Sequence, residues 1–291
     1  RELIWLLGMM LYFCLMAEAF LGYILPWGNM SYWAAQVIVN LFGTIPFIGD
    51  TLVEWIRGDY YISDITLNRF FALHVIAMPL AILGLVFAHI VALHHIGSNN
   101  PDGIEIKDNK DAQGKPIDGV AFHPFHTSKD LVWIIIFLIL YFGAVFFAPE
   151  MGGLFLEVDN FEPANPLKTP EHIVPSWYFT PYYAILRSIP DPLLGFIALI
   201  SAVVCFVFLP WLDKCKVKSI RYRGWQYKVA LAIFVISFVS LGYLGMQPSS
   251  GIYLILARVF TVLYFSFFLL MPFYTRIEKT KPVPDRVVYK K

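Results

Sequence analysis

The sequence predicts an all-α protein: a polytopic transmembrane helical bundle of six spans, with short interfacial helices on one side. Three observations predict it. Hydrophobic residues make up 58% of the 291 and charged residues only 15%, where soluble domains average about 25% charged. Charges are absent from residues 70–96, 131–149, 192–212, 229–257 and 259–275, and residues 3–25 contain only Glu18. Each run matches or approaches the roughly 20 apolar residues that cross a bilayer, and none shows the polar face of a soluble core helix. Finally, if the six runs alternate in direction, 17 of the 22 Lys and Arg fall on one side. By the positive-inside rule that side is the inner one.

Along the chain, the first run ends in Pro26-Trp27-Gly28, a turn with an interfacial aromatic. Residues 29–60 form two apolar pieces broken at 43–46 and 49–50, with Tyr32, Trp33, Trp55, Tyr60 and Tyr61 among them. Pieces of about 12 residues are too short to span, so they are expected to lie in the interface on the outer side. The second span follows. A polar inner loop, 97–130, then carries the charge-rich insert 105–118. After the third span a long outer connection runs to Ile189, rich in Pro, Trp and Tyr. Loops of that length within a compact protein are usually functional. Spans four to six close the chain, with Arg258 placed at the boundary between five and six. A division into 1–129 and 130–291 follows from this layout. Cys14, Cys205 and Cys215 show no CxxC or CxxCH spacing, which argues against an iron–sulfur cluster, a covalent haem or a disulfide frame. The net charge of +1 offers nothing to nucleic acid.

His74 and His89 lie within one uncharged span. Ionisable groups at that depth are costly and mark a site by default. Fifteen residues separate them by ~22 Å along a helix and about 60° around it. Two imidazoles on one side, one in each leaflet, suit two stacked haems. Hydrogen bonding across the bundle is the plainer alternative. Gly8 and Gly22 stand 14 apart on the first span, and glycine admits a flat partner close to the backbone. Simple helix packing explains glycine equally well, but not a spacing that tracks the histidines.

His94 and His95 follow near the inner end of that span. With Ser98 and Asp130 they offer a polar pocket able to relay protons to a redox ligand; solvated helix-end residues are the alternative. On the outer side, Pro175-Ser176-Trp177-Tyr178 opens a helical stretch whose aromatics frame an apolar slot for a quinone ring, or simply an interfacial belt.

Three runs carry a specific likeness: Gly22-Tyr23-Ile24-Leu25-Pro26-Trp27-Gly28, Gly97-Ser98-Asn99-Asn100-Pro101, and Tyr183-Ala184-Ile185-Leu186-Arg187-Ser188-Ile189-Pro190. Together, and in this order, they resemble the cytochrome b family of the ubiquinol–cytochrome c reductases, respiratory complex III. The resemblance covers essentially the whole chain. It implies an eight-helix fold of which this sequence holds the third to the eighth, and two haem b groups. His74 then serves the low-potential haem and His89 the high-potential one, with Gly8 and Gly22 making room for the haem planes. The second axial ligands fall on the two helices not represented.

The same resemblance places His94, Ser98 and Asp130 at an inner site that reduces ubiquinone. Trp177, Tyr178 and Tyr183 fall at an outer site that oxidises ubiquinol, the two sites being joined in a Q cycle. Implied partners are a Rieske iron–sulfur protein, a membrane-anchored c-type cytochrome, a second copy of the complex and the lipid bilayer. The insert and basic tail point to a bacterial inner membrane rather than a mitochondrial one.

This sequence departs from the family pattern in two places. Ser176 stands where the family usually carries a glutamate that accepts a quinol proton, and a serine hydroxyl is no base near neutral pH; Glu171 is a candidate substitute. The histidines are 15 apart where many members have 14, so a wide turn near Pro79 is expected to absorb one residue. Two other classes stay in view. A proton channel with buried histidines leaves the glycine spacing unexplained. A dihaem anchor of another enzyme does not need the aromatic outer loop.

Overall fold

The computed structural model describes residues 1–287; Lys290 and Lys291 of the basic tail lie outside the described residues. The helices are α1 (Glu2–Tyr23), α2 (Asn29–Phe42), α3 (Gly49–Arg57), α4 (Asp64–Ile96), α5 (Thr127–Phe147), α6 (Thr180–Ser188), α7 (Pro192–Leu212), α8 (Trp225–Gly245), α9 (Gly251–Leu269) and α10 (Met271–Ile277). Six are long and apolar enough to cross a membrane: α1, α4, α5, α7, α8 and α9. No strand occurs among the described residues, only isolated bridges such as Gly28 with Pro163.

Local chemistry starts and stops these helices. The Ser63 N–H donates to Thr66 Oγ1 at 3.2 Å, and the Thr66 hydroxyl donates to the Arg57 carbonyl at 2.8 Å. One side chain thus caps α4 and ties it to the end of α3. At α7, Asp191 accepts from the Leu194 N–H at 2.8 Å, with Pro192 at the first position, where its missing N–H is no loss.

Spans five and six divide elsewhere than expected. Helix α8 ends at Gly245 and α9 begins at Gly251, across a turn holding Pro248 and a left-handed Gly251 (φ +53°). Arg258 lies inside α9, where its Nε donates to the Ser188 carbonyl at 2.9 Å. A charge satisfied in this way does not end a helix, so the sequence boundary drawn at Arg258 was misplaced.

Two cores hold the chain. One joins α6, α7, α8 and α9 through Ile185, Leu241, Tyr264 and Phe268, all at most 1% exposed. The other joins the outer ends of α1 and α4 to α2 and α3 through Leu21, Ile24, Tyr32, Val39 and Phe70. The outer connection is pinned across the second core. Asn29 N–H donates to Glu162 O (2.8 Å), Ser31 N–H to Asn160 Oδ1 (2.8 Å) and Ala164 N–H to Trp27 O (2.9 Å). Its backbone groups are therefore satisfied although it is not regular structure. Helix α5 stands apart, with none of its most apolar window buried.

At the inner end, ion pairs tie the 97–105 segment to the 213–223 loop. Glu105 meets Lys218 (2.7 Å) and Arg1 (3.4 Å), and Asp102 meets Arg221 (3.1 Å). The Ser219 hydroxyl adds a bond to the Pro101 carbonyl at 2.6 Å.

Candidate functional site

Helix α4 is not uniform. Residues Leu73–Ala77 form a π-helical turn between two α-helical stretches. A π turn holds one more residue than an α turn and recurs at functional sites. It lies at His74 itself, slightly before Pro79, and takes up the extra residue of the 15-residue histidine spacing.

Both histidines face α1. A Cβ built on Gly22 would lie 2.5 Å from His74 Cε1, and one on Gly8 would lie 3.4 Å from His89 Cε1. The glycine pair and the histidine pair are thus partnered in space, Gly22 with His74 and Gly8 with His89. His74 Nδ1 sits 3.0 Å from the Glu18 carbonyl and 3.2 Å from Glu18 Oε1. A hydrogen bond at one ring nitrogen fixes the tautomer and leaves the other as a lone-pair donor, the usual support of a metal-ligating imidazole. His89 Nδ1 and Glu18 Oε2 are buried without a hydrogen-bond partner, which is uncommon for buried polar atoms. Two imidazole nitrogen donors at different depths, each beside a backbone lacking a side chain, fit two b-type haems.

At the outer end an apolar cavity of about 410 Å³ lies between α1, α2, α6 and α7. Met16 and Phe20 form one wall, Ala34 and Ile38 a second, Leu199 and Phe196 a third. The Pro175 stretch closes it with Phe179, Tyr182 and Tyr183. The Tyr182 hydroxyl meets that of Tyr12 at 2.8 Å and anchors α6 to the middle of α1. A volume of this size with few polar groups is what a quinone ring requires.

The placement of the expected outer residues differs among them. Tyr183 lines the cavity. Ser176 is buried beside it without lining it, its carbonyl accepting from the Phe179 N–H at 2.8 Å. Trp177 is 77% exposed and Tyr178 38%, and neither lines the cavity. The turn that begins at Ser176 swings both rings outward and brings in Phe179 and Tyr182 instead. Phe179, Tyr182 and Leu186 recur at helical spacing along α6, and that periodicity was the available signal.

At the inner end a cavity of about 630 Å³ is lined by Arg1, Trp5, Gly8, Met9, His89 and Asn99 among others. His94, Ser98 and Asp130 do not line it; all three are exposed. His94 stacks edge-on with Phe122 at 5.5 Å instead. Asp130 lies on α5, which packs extensively against no other helix among the described residues. Cation and carboxylate chemistry at this end is concentrated in the loop pairs. Hydrogen bonding from Lys218, and then from Arg1, holds the Glu105 carboxyl below its usual range.

Comparison with known proteins agrees with this geometry. Residues 1–154 match the family model described as cytochrome b(N-terminal)/b6/petB, and residues 163–265 match cytochrome b(C-terminal)/b6/petD. "Cytochrome b" of Allochromatium vinosum is 55% identical over 99% of this chain and 71% of its own length. "Cytochrome b" of Rickettsia prowazekii is 45% identical over 98% of this chain and 69% of its own. The solved structure titled "Hyperthermophilic respiratory Complex III" superposes with a TM-score of 0.83 at 38% identity, covering 96% of this chain and 71% of that one. The chain belongs to the cytochrome b family, the dihaem, quinol-oxidising membrane subunits of Q-cycle oxidoreductases.

Proposed function

We propose that His74 holds the low-potential haem toward the outer end of the bundle and His89 the high-potential haem toward the inner end. Bound there, the two groups supply one-electron carriage between the ends. The chain's own contribution is positional. Glu18 orients the His74 ring through Nδ1, and Gly22 and Gly8 leave the backbone open beside each imidazole. The carrying observation is that pairing of each glycine with one histidine across α1 and α4.

The outer cavity takes the quinol ring, with Tyr182 and Tyr183 the polar side chains on its wall. Its apolar lining excludes water, so a quinol gives up protons only at defined exits. Ser176 supports the turn that shapes the wall, and Trp177 and Tyr178 flank its outer rim. Quinone reduction is assigned to the inner end through His94, Ser98 and Asp130, on the resemblance to the family.

The partners are a Rieske iron–sulfur protein and a membrane-anchored c-type cytochrome, in a complex that pairs as a homodimer in a bacterial inner membrane. The relative titled "Cytochrome b/c1" of Bradyrhizobium diazoefficiens, 47% identical over 99% of this chain and 40% of its own length, supports the cytochrome c1 partner by its printed name. Residues 1–129 form the haem-holding part and residues 130–291 the part that builds the outer quinol wall; the buried cluster of α6 to α9 supports this division.

The test is a reduced-minus-oxidised spectrum of the complex, with iron content measured beside it. Two b-type components are expected, one lost in His74→Ala and the other in His89→Ala. Retention of both components in both variants would overturn the assignment.

A further inference from the structure

Oxidising a quinol releases two protons with its two electrons, and the walls of the outer cavity hold no base to take them. Among the described residues, the ionisable side chains lining them are Tyr182 and Tyr183. The Tyr182 hydroxyl is engaged with Tyr12, and burial pushes its phenol well above the ordinary value. The Tyr183 hydroxyl donates to the Ile173 carbonyl at 3.1 Å. Ser176 behind the wall carries a hydroxyl, which holds its proton near neutral pH.

Behind Ile173 and Tyr183 lies a second cavity of about 330 Å³, and these two residues are walls of both. This vestibule is polar. It holds Glu171, His172, Arg187 and Gln247, and Glu171 and His172 are exposed, so it meets external water. Arg187 is fixed in place, its Nη2 donating to the carbonyls of Leu244 (3.2 Å), Gly245 (2.7 Å) and Gln247 (3.0 Å). Its guanidinium lies 4.3 Å from the centroid of the Tyr183 ring.

We infer that His172 accepts the proton of a quinol bound in the outer cavity and that Glu171 passes it to water, an assignment that rests on reading that cavity as the quinol site. The quinol O–H bond breaks, the proton adds to an imidazole lone pair, and the bonding electrons remain on the quinol oxygen; the second quinol proton takes the same route after His172 has passed the first one on. The imidazolium then gives its N–H proton to the Glu171 carboxylate or directly to water. The electrons leave by the acceptors of the established reaction.

Two physical arguments favour His172 over Glu171 as the first acceptor. Imidazole is the side chain whose charge ordinarily changes near neutrality, so it both takes and returns a proton at working pH. The ionisable groups lining the vestibule with it are Glu171 on its own segment and Tyr183 and Arg187 on α6; the α2 side and residues 246–249 supply none. Glu171 adjoins His172 in the chain and both are exposed on the vestibule, so a proton leaving the imidazole has a carboxylate and water to go to. Ile173 follows His172 directly in sequence and Tyr183 shares the wall, so the path from ring hydroxyl to vestibule crosses a single residue layer.

The experiment uses the intact complex and a short-chain benzoquinol, with turnover followed from about pH 5 to 8. His172→Gln is expected to lower turnover at neutral pH by at least about tenfold and to flatten the rise on the acid side. Adding Ser176→Glu to His172→Gln is expected to restore much of the rate by putting a longer, carboxylate side chain directly behind the cavity wall. Direct binding of the matching benzoquinone is expected to be unchanged in His172→Gln. Unchanged turnover and an unchanged acid limb in His172→Gln would overturn the inference, as would a larger loss in Glu171→Gln than in His172→Gln. Failure of the benzoquinone to bind, or binding indifferent to Leu199→Trp, would instead overturn the cavity assignment itself.

Discussion

The ring of His74 occupies the space that a side chain on Gly22 would need: a Cβ there would fall 2.5 Å from His74 Cε1 and 3.1 Å from Nε2. Forty residues of loop and interfacial helix, 24–63, separate the ends of α1 and α4, yet the two helices meet in register at both histidines. The close approach at Gly22 and the looser one at Gly8 make different demands on a methyl group.

Gly22→Ala is therefore expected to displace the His74 ring, at a cost of about 1–3 kcal/mol of overpacking strain. Its b-type band should weaken or shift in potential. Gly8→Ala, meeting His89 at 3.4 Å, should leave the other band nearly intact. Redox titration of the two bands in each variant checks this; equal effects at both glycines would contradict the register.

Filling the outer cavity should weaken quinone binding, whereas trimming its rim should not. Leu199→Trp adds bulk to a wall and is expected to weaken binding of a benzoquinone at least about tenfold, or about 1.4 kcal/mol. Trp177→Ala, removing a ring that is 77% exposed, should change that affinity by less than about twofold. The titration of choice is direct binding to the purified complex, and a large loss in Trp177→Ala would return that ring to the site.

Much of this was legible in the amino-acid sequence, for physical reasons that differ by feature. Lipid-crossing helices declare themselves because no charge interrupts them, and the π turn at Leu73–Ala77 was implied by a histidine spacing one residue too long. The glycine–histidine register was accessible because rise and rotation per residue are constants. The sequence was less decisive where chemistry is degenerate. Trp177 and Tyr178 suit a belt or a pocket equally, and only the turn after Ser176 decides which way they point. Arg258 passed for a helix boundary because its partner, the Ser188 carbonyl, is 70 residues away in the chain. His94 and Ser98 are close in the chain, but Asp130 lies 32 residues beyond Ser98 across the inner loop, and α5 is not packed onto α4 in a way that gathers them.

Arg223 organises the inner end of the first core, that of α6 to α9. Its side chain is 4% exposed and makes two bonds to Asp213, at 2.6 and 3.1 Å, while Glu278 Oε1 accepts from its Nε at 2.9 Å and lies 2.6 Å from its Nη2. Burial works against the guanidinium charge, but these carboxylates outweigh it and hold its proton more tightly than usual. Arg223→Ala leaves Glu278, 1% exposed, as a buried unpaired charge and is expected to cost about 3–5 kcal/mol. Arg223→Met combined with Glu278→Leu should recover most of that loss. Thermal unfolding of the complex in detergent reads both, and a double variant no better than Arg223→Ala would sink the ion-pair account.

Glu105 gives the inner loop a pH dependence whose sign follows from its environment. The hydrogen bond from Lys218, aided by Arg1, stabilises the carboxylate and lowers its folded-state pKa below the unfolded value. The stabilisation is therefore fully present above the ordinary glutamate range, about 4.3. It is lost as pH falls through the lowered folded value. Cleavage of the 105–118 insert by an acid-active protease should accordingly rise as the pH drops below that range. Glu105→Gln should show the raised cleavage already at neutral pH and little further change on acidification. Because the Lys218 side chain is 50% exposed, added salt should weaken the wild-type tie and leave the variant unmoved. A variant that keeps the wild-type acid response would assign that response to another carboxylate, with Asp102 and its partners Arg221 and Tyr222 the next pair to change.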